Sequence, residues 1–147
     1  MNGKCHIESI GVKTPGKRLT TRELISRIKI PGMEKFGLLT GIRERRICSD
    51  TEDSFSLACD AAMDCLAHSK YRAEDLDLVI CCSITHYKNG LSHLYEPSFS
   101  ILIKGVIGAG KATAFDISNA CAGMLTGVYV AENFFRQGKI RTCMIVS

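Results

Sequence analysis

Apolar and polar positions change period several times along this chain, and each change marks an expected element. Cys5 to Val12 reads as a first strand ended by Pro15-Gly16. Thr20 or Thr21, with Glu23 close behind, predicts the start of a helix running through Ile28. Pro31-Gly32 breaks the chain, and Met33 to Leu39 predicts a short helix ahead of an arginine-rich stretch. Ser49 followed by Glu52 matches a capping box, after which Phe55, Ala58, Cys59, Ala62, Cys65 and Leu66 recur at helical spacing. Leu78 to Cys82 is an unbroken apolar run, as expected of a strand covered on both faces. Pro97 suits the first position of the next helix, Phe99 through Val106. Ala112 to Ile117 predicts another strand. Met124, Val128, Ala131 and Phe135 then repeat at helical intervals until Gly138, and Thr142 to Val146 predicts a last strand. Strands alternating with helices, with no internal repeat or linker, predict a single α/β domain over 1–147.

One cysteine stands apart in this pattern. Cys121 lies between the apolar run ending at Ile117 and the helical pattern that opens at Met124, with Ala120, Ala122 and Gly123 around it. Backbone N–H groups and the positive end of the dipole at a helix start favour thiolate over thiol, and the small neighbours leave room for a substrate. Cys121 is therefore the candidate nucleophile. The other seven, Cys5, Cys48, Cys59, Cys65, Cys81, Cys82 and Cys143, read as small buried hydrophobes. There is no C-x-x-C pair, so neither a zinc site nor a redox dithiol is expected, and no metal is assigned.

Three blocks carry a resemblance. Thr40-Gly41-Ile42-Arg43-Glu44-Arg45-Arg46, then Asp77-Leu78-Val79-Ile80, then Ala114-Phe115-Asp116-Ile117 leading into Ala120-Cys121-Ala122-Gly123, resemble the β-ketoacyl-acyl-carrier-protein synthase III family of the thiolase-like superfamily. The order and spacing match along nearly the whole chain, apart from one stretch after His86. The resemblance implies a thiolase-like α/β fold: two similar halves, each a mixed five-stranded sheet with helices on both faces. It implies that Cys121 carries the acyl group as a thioester, to be condensed with a malonyl thioester in fatty acid or polyketide-like biosynthesis. The family's catalytic His and Asn fall in a second half, in motifs like H-Q-A-N and N-x-G-N-T that this sequence does not contain, so the chain corresponds to an N-terminal half. Alone, it is expected to self-acylate at most. No histidine among His6, His68, His86 and His93 is assigned a catalytic role.

Substrate recognition follows from the same resemblance. Family members commonly place a Trp before the Thr-Gly-Ile-Arg block, stacked on the adenine of coenzyme A. This chain has no Trp; Lys35 and Phe36 fall in that region, and Leu39 stands where an arginine is common. Phe36 offers a stacking face and Arg43 a cation, so both are candidate substrate-binding residues, with Arg45 and Arg46 as further phosphate or carrier contacts. Acyl-coenzyme A and acyl carrier protein are the expected thioester partners, and no cofactor is expected. A homodimer, or pairing with a C-terminal half, is expected too. A non-condensing acyltransferase, or a non-catalytic half-chain acting as a subunit, are the alternative functions.

Charge and composition narrow the classes. Residues 1–48 hold eleven Lys/Arg against four Asp/Glu and the remainder eight against eleven, a basic first third suited to an acidic carrier or a phosphorylated arm. The basic residues are scattered without interleaved aromatics, which argues against nucleic acid. No stretch approaches the roughly 20 apolar residues of a membrane span, and no apolar signal core opens the chain, so a cytoplasmic location is expected. Gly105 to Lys111 nearly matches a phosphate loop. Ala112 lacks the hydroxyl that would hold magnesium, and the loop runs from helix to strand, the reverse of the working order.

Overall fold

The computed structural model describes residues 5–28, 30, 32, 35–89 and 92–147, the Phe36 side chain excepted. The chain divides into two compact units, Thr14–Glu52 and the remainder.

The Thr14–Glu52 unit comprises β1 (Lys17–Thr20), α1 (Thr21–Arg27), α2 (Phe36–Thr40) and β2 (Glu44–Ile47). The expected cap of α1 is present: Thr20 Oγ1 accepts from the Glu23 N–H at 3.1 Å, and the Glu23 carboxylate accepts from the Thr20 N–H at 2.9 Å. β1 and β2 pair antiparallel, with Leu19 opposite Arg45. The pattern did not reveal these strands because Lys17-Arg-Leu-Thr and Glu44-Arg-Arg-Ile carry one apolar residue each. The short helix expected from Met33 is seen only from Phe36; Pro31, Met33 and Glu34 lie outside the described residues.

The second unit comprises α3 (Ser54–Ala67), β3 (Leu78–Cys81), β4 (Tyr87–Lys88), β5 (Ser92–His93), α4 (Phe99–Ile107), β6 (Thr113–Asp116), α5 (Gly123–Arg136) and β7 (Cys143–Val146). β3 lies between β6 and β7 and runs parallel to both. Alternation along β3 then sends Val79 and Cys81 into one apolar layer with α3 and α4, and Leu78, Ile80 and Cys82 into the other with Ala131 of α5. All of β3 is buried, as the unbroken run predicted. Each fully buried side chain such as Phe99 or Ile103 contributes roughly 1.5–3 kcal/mol.

Several expectations need correction. The mixed five-stranded sheet is, among the described residues, a three-stranded parallel one with two separate two-stranded pairs. Cys5–Val12 forms no strand. It lies along α3, where Val12 N–H donates to Asp64 Oδ2 at 2.9 Å and the Glu8 carboxylate accepts from Lys70 N–H at 3.1 Å. Side chains thus take the place of a strand ladder. Ser49 and Glu52 make a turn, with the Ser49 N–H on Glu52 Oε2, while Asp53 caps α3 by accepting from the Ser56 N–H at 2.7 Å. The helix starts where a carboxylate sits one residue before its first turn. In α5 the residues against the sheet are Gly123, Gly127 and Ala131; Met124 and Val128 are exposed. A Cβ on Gly127 would stand 2.5 Å from Cys82 Sγ, so the helix rests on the sheet through its glycines.

Burial raises the thiols beneath these layers, Cys59 to about 11 and Cys81 and Cys143 to about 12. The folded state keeps protons that unfolded thiols release from near pH 9, so stability is expected to fall from about pH 9 toward pH 12. Urea midpoints across that window check this. Replacing Cys81 and Cys143 by alanine should flatten the decline.

Candidate active site

Cys121 sits where β6 gives way to α5, as the small-residue pattern predicts, but not in the helix itself. It occupies a single 3-10 turn, Ala120–Ala122, two residues before Gly123 opens α5. The Ala122 N–H donates to Asn119 O at 3.0 Å and the Gly123 N–H to Ala120 O, so the turn uses two of the amides nearest the sulfur. Ala120 has φ 41°, a left-handed conformation that is strained for any residue with a Cβ. A side-chain brace holds the turn: Asn119 Nδ2 donates to Thr126 Oγ1 at 2.8 Å, and that hydroxyl donates to Ala122 O at 2.9 Å. Cys121 is exposed, as are its neighbours Ala120 and Ala122.

Exposure separates the eight cysteines. Cys59, Cys81 and Cys82 are buried, and Cys65 and Cys143 are half-buried. Cys5 and Cys48 are exposed, against the expectation that every other thiol is a buried hydrophobe; one lies in the segment that forms no strand, the other just past β2. Burial therefore isolates Cys121 from five thiols and not from these two.

The candidate substrate residues lie in the Thr14–Glu52 unit. Arg43 follows α2, its carbonyl accepting from the Thr21 N–H at 2.8 Å, and its side chain is exposed. Arg45 and Arg46 are committed elsewhere: Arg45 Nη2 donates to Thr21 Oγ1 at 2.8 Å, and Arg46 Nη1 to Gly16 O at 3.0 Å. That leaves Arg43 as the guanidinium of this block available to an anionic substrate. Phe36 opens α2, and its side chain lies outside the described residues.

Asp116, five residues before Cys121, has a structural task. Its Oδ2 accepts from the Phe99 N–H at 3.0 Å and its Oδ1 from the Ser100 N–H at 2.9 Å, capping α4, whose own Ser98 makes no side-chain cap. Sequence reasoning missed the neighbour of that carboxylate, His86, because 30 residues separate them and no periodicity marks the loop between. The helix-to-strand reading of Gly105–Lys111 holds: α4 ends at Gly108 with φ 81° and β6 follows. A cavity of about 200 Å³ at the carboxyl ends of β3 and β7 is lined by Leu57, Ala58, Phe99, Ser83 and Val146 among others. Cys121 does not line it. No group of three or more metal-ligating side chains occurs among the described residues, and no helix there is long and apolar enough to cross a membrane.

The fold is that of a thiolase-like protein. The chain is 32% identical, over 99% of its length, to β-ketoacyl-[acyl-carrier-protein] synthase III of Clostridioides difficile, covering 42% of that protein. It matches the crystal structure of 3-oxoacyl-[acyl-carrier-protein] synthase III from Aquifex aeolicus with a TM-score of 0.81 at 29% identity, over 93% of this chain and 42% of that one. The priming β-ketosynthase of the R1128 polyketide biosynthetic pathway matches with a TM-score of 0.79 at 27% identity, over 90% and 38%. No family model matches the chain. The chain matches the N-terminal half of β-ketoacyl-[acyl-carrier-protein] synthases III over nearly its whole length. It spans less than half the length of those relatives.

Proposed function

We propose that this chain supplies the nucleophile of an acyl transfer, with Cys121 as the atom that takes the acyl group. The observation that carries the reading is an exposed thiol on a strained, braced turn between strand and helix, in a chain matched over nearly its whole length by β-ketoacyl synthases III. The Cys121 thiolate attacks the carbonyl carbon of an acyl thioester. The tetrahedral oxyanion collapses, expels the donor's thiolate and leaves the acyl group on sulfur. Backbone N–H groups near the turn, that of Cys121 included, would hold the oxyanion; removing one such donor costs roughly 2.7–4 kcal/mol in comparable sites.

Arg43 is the proposed contact for the phosphates of acyl-coenzyme A or the acidic face of an acyl carrier protein, and Phe36 the proposed stacking face. Condensation with a malonyl thioester would need, in addition, the His and Asn that the resemblance implies and whose motifs this sequence does not contain. A cytoplasmic location fits such substrates. The exposed α5 face, with Leu125 and Tyr129 at 73% and 67% exposure, favours a second element of the reading. That surface is of the kind another chain or half covers, so the protein works as a homodimer or paired half.

Radiolabelled acyl-coenzyme A is expected to leave alkali-labile label on the wild-type chain and none on Cys121→Ala. Label that survives the substitution overturns the assignment.

A further inference from the structure

His86 follows the last residues of the β3 exit and opens the hairpin of β4 and β5. Its ring lies against Phe99 of α4 with centroids 4.5 Å apart and planes 20° from parallel. Its Nε2 is buried, finds no hydrogen-bond partner among the described residues, and stands 4.0 Å from Asp116 Oδ2. Both side chains are largely buried, with 15% and 18% exposure. The hairpin is otherwise tied to α3: Tyr87 N–H donates to Ser54 Oγ at 2.8 Å, and Asn89 N–H to Asp53 Oδ2 at 2.8 Å. Toward β6 and α4, the polar group it offers is His86.

We infer that His86 is a positioning residue, whose Nε2–H clamps the Asp116 carboxylate and so fixes the strand end that leads into the Cys121 turn. A bare nitrogen lone pair facing a carboxylate would be repelled, and a buried polar atom without a partner is costly, so the proton belongs on Nε2. Closing 4.0 Å by about 1 Å gives a charge-assisted hydrogen bond. Asp116 then joins three things at one carboxylate: the first turn of α4 through the Phe99 and Ser100 amides, the hairpin through His86, and the end of β6 through its own backbone. Two described neighbours of the imidazole are directed elsewhere. His93 of β5 is 6.0 Å away ring to ring, and Lys88 of β4 lies over the Phe55 ring at 4.6 Å. The consequence for Cys121 rests on its proposed role as nucleophile; the clamp itself does not.

The test uses the full chain. Long-range ¹H–¹⁵N spectra of wild type at neutral pH are expected to show a protonated Nε2 on His86, with its signal displaced in Asp116→Asn. Amide exchange at Phe99, Ser100 and Leu94, the last bonded to His86 O at 2.8 Å, is expected to quicken about fivefold to tenfold in His86→Phe, which keeps the ring stack and loses the donor. His86→Gln, which keeps a donor, should restore exchange to within about twofold. Alkylation of Cys121 should shift at least about threefold in His86→Phe and return in His86→Gln. An unprotonated Nε2 in wild type, or His86→Phe exchange equal to wild type, overturns the clamp. Altered exchange with unaltered Cys121 alkylation overturns the positioning role. Failure of Cys121 to accept an acyl group would appear separately, in the wild-type labelling, and would leave the exchange result standing.

Discussion

Gly127→Leu is expected to destabilise the chain by about 3 kcal/mol. Even the first atom of the new side chain would stand 2.5 Å from Cys82 Sγ and 3.2 Å from Ile145 Cγ2. Cys82 cannot move aside, because it is buried at the end of β3 with its N–H bonded to Val146 O. The helix must lift instead, and Gly123, whose Cβ would meet Cys82 O at 2.9 Å, lifts with it. Gly105→Ala supplies the opposite sign. That position lies inside α4 with open space where its Cβ would go, so alanine should stabilise by about 0.5–1 kcal/mol through helix propensity. Urea unfolding of the two variants beside wild type checks both. Equal midpoints would mean that α5 does not rest on the sheet through its glycines.

The second large effect is kinetic. With a small alkylating reagent at neutral pH, Cys81 and Cys143 are expected to react more than about a hundredfold more slowly than Cys121, since thiols held near 12 form little thiolate and burial bars the reagent. Cys59, held to about 11 and buried, should lag similarly. Cys5 and Cys48 are the informative comparison because they are exposed too. The turn at Ala120–Ala122 is expected to make Cys121 several-fold faster than either, through the nearby start of α5. Mass-resolved alkylation rates for all eight thiols read the whole series, and a Cys121 rate equal to that of Cys5 would remove the helix-end argument.

How much of this was legible in the sequence depends on how local each cause is. The Thr20–Glu23 box, the unbroken run of β3 and the strand-to-helix break around Cys121 are set by neighbours within a few residues, and they stand as read. β1 and β2 escaped because they are mostly charged strands held by each other rather than by a buried face. The α3 start was misplaced by four residues because Ser49–Glu52 and Asp53–Ser56 both have the capping spacing, and Asp53 is the residue that faces the helix amides. In α5, the apolar repeat that marks the helix includes Met124 and Val128, yet contact with the sheet needed closeness, which glycine gives and methionine does not. Asp116 satisfies backbone amides on a helix sixteen residues back, a pairing that no local pattern marks. The His86 contact with Asp116 spans 30 positions, a distance at which no spacing rule speaks.

Wild-type chain is incubated with an acyl-coenzyme A, digested, and the acyl adduct mapped by mass spectrometry across Cys5, Cys48 and Cys121 alike. A thioester on Cys121 in large excess over the other two is expected. Equal adducts on all three exposed thiols, or none on Cys121, would contradict it.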